Sequence, residues 1–142
     1  LIVASESAQF GLVEIVVGLT PSMGGPQRLA ERAGSGRARQ LVMTGGLFDA
    51  ATLERWNVVN EVKPDDELDE YARKLTRRLA NGPTLAHAMT KRIVRAWRDE
   101  GMAGADRVTR RDAAELFETE DLKNAVDSFL ENGPGKAKYE GR

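Results

Sequence analysis

From residue 66 to residue 132 the apolar side chains recur three and four positions apart, and that spacing dictates helices. Asp66 is placed to cap the first, in which Leu68, Tyr71, Ala72, Leu75 and Leu79 form one stripe, closed by Asn81-Gly82. Pro83 opens the next, with Leu85, Met89, Ile93 and Trp97 along one side and Ala86 and Ala96 filling in, until Gly101 and Gly104 interrupt it. Val108, Ala113, Ala114, Leu116 and Phe117 mark a third helix. Asp121 begins a last one carrying Leu122, Ala125, Val126, Phe129 and Leu130, stopped by Asn132-Gly133-Pro134-Gly135. One-sided stripes of this kind need a cover, either the rest of a domain or another subunit.

The first 64 residues are organised differently. Leu1-Ile2-Val3-Ala4 reads as a buried strand, and Ile15–Val17 as a second short β-branched cluster of strand character. A buried strand needs neighbours, and few other strands are visible, so the expectation is that further chain precedes residue 1. Thr20-Pro21-Ser22-Met23-Gly24-Gly25-Pro26 is a run of turn formers, and Pro26 suits the first turn of a helix that stops at Gly34. Ser35 is placed to cap a second helix carrying Ala38, Leu41 and Val42, which ends at Gly45-Gly46. Asp49 is placed to cap a third with Leu53 and Trp56, and Val58–Val62 predicts a brief strand that ends before Pro64. The expected division is 1–64, the remnant of a strand-containing core, and 65–142, a helical oligomerisation domain.

Composition removes several function classes. A formal net charge of -1 over 142 residues offers no global field for nucleic acid or an anionic membrane surface, so neither is expected as a partner. The basic residues Lys91, Arg92, Arg95 and Arg98, and then Arg107, Arg110 and Arg111, are interleaved with Asp99, Glu100, Asp112 and Glu115, as on a solvated helix face. With no cysteine there is no disulfide, thiol nucleophile or thiolate metal site. That usage fits a reducing compartment, and a cytoplasmic location is expected. His87, the only histidine, falls on the polar face near Lys91, Arg95 and Arg98 and has no serine or carboxylate partner at catalytic spacing, which argues against a Ser–His–Asp enzyme.

Three features remain that could carry chemistry. Glu14 sits inside Gly11-Leu12-Val13-Glu14-Ile15-Val16-Val17-Gly18. Desolvation of a carboxylate favours its neutral form, and general acid/base catalysts exploit that; a solvent-facing position on an edge strand or turn is the commoner reading of such a residue. The Pro21–Pro26 loop leads into a helix N-terminus, where glycines permit close backbone approach and free N–H groups face an anion or a polarised carbonyl, or where the loop is simply a tight connection. It is no phosphate loop, since no Lys-Ser/Thr pair follows Gly25. Lys136-Ala137-Lys138-Tyr139 sets an aromatic ring beside cations, a pattern suited to an adenine and its phosphates or to a frayed end.

Taken in order, Leu1–Ala4, Ser7-Ala8-Gln9-Phe10-Gly11, Glu14-Ile15, Gly18-Leu19-Thr20-Pro21, Gly24-Gly25, Gln27-Arg28-Leu29, Leu41–Gly45, Asp49-Ala50 and Val58–Val62 resemble the second half of the signature of the crotonase (enoyl-CoA hydratase/isomerase) superfamily. The likeness extends along the chain and is densest over residues 1–62. The resemblance implies an α/β crotonase-like fold, a ββα spiral, here truncated at its N-terminus so that the portion present is predominantly α-helical. It implies acyl-CoA as substrate, no separate cofactor, no metal, and assembly as a homo-trimer or dimer of trimers. It also implies backbone N–H groups forming an oxyanion hole for the thioester carbonyl.

Under this resemblance Glu14 takes the position of the second hydratase glutamate, which manages the proton at C2 while another delivers hydroxyl to C3. Pro21, Met23 and Gly24 line the acyl pocket, with Ser22-Met23 standing where small Gly-Ala is common. Phe129 matches an aromatic that lines the CoA site across a subunit boundary; Asn132 replaces a cofactor-contacting lysine, and Lys136 is its substitute. Asn57 stands where glycine is usual after the tryptophan, which puts the local turn in question. The implied function is hydration of a 2-enoyl-CoA by a site lacking its oxyanion-hole half. A missing N-terminal segment then appears as a partner, and the isolated chain is expected to be inactive. The alternatives are a Δ3,Δ2-enoyl-CoA isomerase and, from another class, a non-catalytic helical assembly module.

Overall fold

The computed structural model describes residues 1–142, and the chain divides into two compact units, Leu1–Arg73 and Lys74–Arg142. The first unit contains strands β1 (Val3–Ser5) and β2 (Gln9–Phe10), a 3₁₀ helix at Glu14–Val17, and helix α1 (Gly25–Thr44). Strand β3 (Phe48–Asp49), helix α2 (Ala50–Arg55), strand β4 (Glu61–Lys63) and the start of helix α3 (Leu68–Ala80) follow.

The strand at the start of the chain does find a neighbour. β1 pairs with β4 in parallel, Val3 opposite Glu61, Ala4 opposite Val62 and Ser5 opposite Lys63. The pairing is extended at both ends. The Asn60 N–H donates to the Ile2 carbonyl at 2.8 Å, the Ile2 N–H donates to the Asn60 side-chain oxygen at 2.8 Å, and the Glu6 N–H donates to the Lys63 carbonyl at 2.9 Å. β2 and β3 pair antiparallel, Gln9 opposite Asp49 and Phe10 opposite Phe48. The expectation of a truncated remnant is therefore corrected, although helices do predominate over the four short strands. Strands alternate with helices through residue 63, and each strand pairs with one other strand of the chain.

Helices α1 and α2 pack behind these strands. Their buried residues Leu29, Ala38, Leu41, Ala50 and Leu53 form one core with Ala4, Val58 and Val59. α1 breaks at Gly34, where the sequence predicts a stop, and continues after it. Asp49 caps α2 as expected, its Oδ1 accepting from the Thr52 N–H at 2.7 Å. The turn in question after Trp56 closes without glycine. Asn57 takes φ 62°, a left-handed conformation that asparagine tolerates better than most residues, and the Val58 and Val59 N–H groups both donate to the Leu53 carbonyl, at 2.9 and 3.1 Å. Trp56 is flanked by Phe48, with ring centroids 5.0 Å apart, and by the Arg37 guanidinium 4.6 Å from its ring centroid.

One local expectation fails. Ile15–Val17 is a 3₁₀ helix, not a strand. β-branched residues favour strands only where a pleated surface and a paired edge receive them, and here the chain turns tightly between Val13 and Leu19 instead.

In the second unit α4 (Thr84–Asp112) folds at Gly101, one of the two interruptions read from the sequence, while Gly104 stays helical and buried. The fold brings Arg92 onto Asp112, twenty residues on. A 3₁₀ helix at Ala113–Glu118 leads to α5 (Glu120–Asn132), whose cap is Thr119; its hydroxyl accepts from the Leu122 N–H at 3.2 Å. His87 is half-buried, its ring filling the space above Gly82. No helix is long and apolar enough to cross a membrane.

Two outcomes follow. Leu53→Ala, which empties a site only 2% exposed at the centre of the first core, is expected to cost about 2–5 kcal/mol in a urea titration. Asp112 is held between two arginines. The hydrogen bond from Arg111 (Nη2 to Oδ2, 2.9 Å), helped by the charges of Arg111 and Arg92, lowers its pKa from the ordinary 3.8 to about 2. A depressed carboxylate pKa stabilises the fold fully above the ordinary value, and that contribution is lost as pH falls through about 2. The stability advantage of the wild type over Asp112→Asn should therefore shrink as thermal melts are run from neutral pH down towards pH 2.

Candidate active site

Glu14 opens the 3₁₀ helix, and the backbone around it is tightly constrained. The Val16 N–H donates to the Val13 carbonyl at 3.0 Å, the Gly18 N–H to Ile15 at 3.0 Å, and the Leu19 N–H to the carbonyl of Glu14 itself at 3.1 Å. The turn rests on the C-terminal end of α1. Gly45 ends that helix with φ 60°, and a Cβ on it would lie 2.7 Å from the Ile15 Cγ2. Glycine is needed there twice over, for the left-handed backbone and for the close approach of the segment bearing Glu14.

The Glu14 side chain is half-buried, and its Oε2 is wholly buried with no hydrogen-bond partner within the chain. Buried polar atoms are nearly always paired, so an unpaired carboxylate oxygen needs an explanation, and a reacting group is one. Around it the surface is apolar and open. Val16, Val17 and Leu19 of the same segment are exposed.

The segment that follows leads into α1. Pro21 and Gly24 are buried, while Met23 between them is 94% exposed. Gly24 is the residue before the helix, with φ 92°. Arg28, one turn on, folds back so that its Nη1 donates to the Met23 carbonyl at 3.2 Å, and its guanidinium occupies the space a side chain on Gly24 would fill. The first turn of α1 holds no acidic residue, so its free N–H groups and Arg28 together make this end of the helix positive. Arg28 was not among the residues singled out from the sequence. The available signal is an arginine four positions after a helix-entry glycine, which is too common to stand alone.

Glu14, Pro21, Met23 and Gly24 thus lie on one continuous stretch of the first unit. Phe129 and Lys136 belong to the second. Phe129 is exposed on α5, and Lys136 is exposed on the tail beyond Gly135.

The sequence profile of the enoyl-CoA hydratase/isomerase family matches residues 1–142. The chain belongs to that family. It is 36% identical over 138 residues to a probable enoyl-CoA hydratase of Rhizobium meliloti, covering 97% of this chain and 54% of that protein. It is 32% identical over 139 residues to a short-chain-enoyl-CoA hydratase of Clostridium acetobutylicum, covering 98% and 52%. A crystal structure of enoyl-CoA hydratase subunit I from Geobacillus kaustophilus superposes with a TM-score of 0.92 at 34% identity, covering all of this chain and 55% of that one. The chain spans about half the length of the relatives it matches.

Membership corrects several expectations together. The sequence reading likens the chain to the second half of the family signature alone, most densely over residues 1–62; the family match runs over every residue of this chain, helical region included. The truncated fold class gives way to a crotonase-like arrangement in which strands and helices align with a solved relative along the whole chain. A site lacking its oxyanion-hole half, an inactive isolated chain and a missing N-terminal segment as partner all rested on the half-only reading, and they are withdrawn with it.

The close packing at Gly45 makes a direct prediction. Gly45→Ala in this family member should destabilise the fold by at least about 1 kcal/mol, because alanine is strained at φ 60° and meets Ile15. Faster amide exchange confined to residues 14–19 would show that the Glu14 turn carries the effect.

Proposed function

We propose that the protein acts on acyl-CoA thioesters as an enoyl-CoA hydratase, with Glu14 as a general acid/base. The observation that carries the reading is the buried Oε2 of Glu14, which finds no donor in its own chain and is therefore free to exchange a proton with a bound water or substrate. In hydration, water supplies hydroxyl to C3 of the 2-enoyl group and a proton to C2. The role assigned to Glu14 is to hand the proton to C2, and the water restores it.

Pro21, Met23 and Gly24 are proposed to border the acyl group. Buried Pro21 and Gly24 hold the loop, the Arg28 hydrogen bond to the Met23 carbonyl fixes its path, and the Met23 thioether is left to meet an apolar chain. Phe129 and Lys136 are proposed to contact the CoA portion, Phe129 through its ring and Lys136 through charge. A cytoplasmic setting belongs to the same proposal. Two relatives carry the name enoyl-CoA hydratase, which supports the reaction class, while acyl chain length is left to experiment.

The test is kinetic. Glu14→Gln is isosteric but cannot take up or release the proton, so hydration of a short 2-enoyl-CoA should fall by roughly 10²–10⁴-fold with binding of the thioester largely kept. Equal rates for variant and wild type would sink the assignment. A preference for a 3-enoyl over a 2-enoyl thioester would make the protein an isomerase instead, with the same glutamate moving the proton.

A further inference from the structure

Helix α1 touches the Glu14 segment at both of its ends. At its start the Leu12 side chain occupies the place where a side chain on Gly25 would stand, its two methyl groups 2.9 and 3.0 Å from that point. At its end Gly45 receives Ile15 in the same way, the Cγ2 2.7 Å from the corresponding point. Leu12 stands two residues before Glu14 and Ile15 one residue after it. A straight helix of 20 residues would hold its ends about 30 Å apart, whereas three residues of extended chain span at most about 11 Å. The two contacts are made together only because α1 changes direction on the way.

That change is at Gly34. Its φ of 80° and ψ of 161° lie in a region that essentially only glycine enters. No packed neighbour lies within 4 Å of where a Cβ would stand. Glycine is there for the direction of the chain and not for room. The two ends of α1 carry different parts of the candidate site. The Pro21–Gly24 loop, proposed to border the acyl group, runs into the first end, and the Glu14 turn rests on the second. The Glu14 Oε2 has no partner in the chain to hold it, so its place follows from the backbone between Leu12 and Ile15.

We propose that Gly34 is a positioning residue for Glu14: the break it makes in α1 closes both ends of the helix on the Glu14 segment, through Leu12 and Ile15, and so fixes the acid relative to the loop that borders the acyl group. The proposal rests on the acyl-CoA reading above and adds to it a residue from the interior of a helix. Its value appears in rate, because misplacing a reacting group by about 1 Å costs up to about 10²-fold.

The experiment is steady-state hydration of a short 2-enoyl-CoA by the whole chain, with thermal melts and amide exchange on the same samples. Gly34→Ala drives the backbone towards helical values and straightens α1. Leu12→Ala opens the contact with Gly25 and leaves the break untouched. Both should lower kcat by roughly 10–10²-fold with KM kept within about twofold, and quicken exchange over residues 12–19. Leu12→Met refills the space and should restore most of the rate. Gly101→Ala is the control. Gly101 breaks α4 with φ 71° and equally free space, so alanine there should lower the melting temperature to a similar extent and leave kcat unchanged. A folded Gly34→Ala with wild-type kcat would overturn the proposal. So would an equal fall in kcat for Gly101→Ala, which would reduce the effect to lost stability. If Gly34→Ala does not fold, Leu12→Ala decides, and wild-type kcat in that variant would overturn the proposal equally. A wild-type chain that hydrates no 2-enoyl-CoA would overturn the acyl-CoA reading itself, and the role given to Gly34 with it.

Discussion

The parallel pairing of β1 with β4 is the constraint on which the first unit depends. It joins the start of the chain to a strand almost sixty residues later, and everything between must fit inside that closed loop. The ladder is short, and its strength comes from what surrounds it. Asn60 doubles the backbone link to Ile2 with its side chain, and Ala4 is buried in the same core as Leu41, Leu53 and Val59. Loop closure is costly before the ends meet, so the pairing holds only because α1 and α2 bury their apolar faces behind it. The left-handed turn at Asn57 is the local device that lets α2 run directly into β4.

That frame explains how a segment as apolar as Val13–Leu19 can stay in place at the surface. The 3₁₀ helix satisfies its own backbone groups, and Gly45 lets it sit against the end of α1. Both devices act on the backbone, and they leave the Glu14 carboxylate with one oxygen buried and unpartnered. The stability lost to that oxygen is offset by the core behind it.

Much of this was legible from residue types. Asp49 as a helix cap, the break at Gly34, the fold at Gly101 and a strand ending before Pro64 are local chemistry, decided by a few neighbouring residues. The misreadings have a common cause. Ile15–Val17 has strand propensity but no paired edge, Asp121 looks like a helix cap but faces a tail nineteen residues away, and Asp112 reads as part of a solvated face yet is buried under Arg92 and Arg111. In each case the partner is distant in sequence, and no periodicity or cap rule reports it.

By itself, then, the sequence determined the helical stripes, the breaks at Gly34 and Gly101 and the Asp49 cap, because spacing and turn chemistry are properties of short stretches, while Glu14 was singled out by its place in a family-like series of motifs. Tertiary structure alone decided that β1 has a parallel neighbour, that one oxygen of Glu14 is buried without a donor, that Asn57 can replace glycine in its turn, and that the tail is tied back to Asp121. These depend on which distant groups come within hydrogen-bonding or van der Waals distance, and that is settled only when the loop between β1 and β4 closes and α4 folds back on itself.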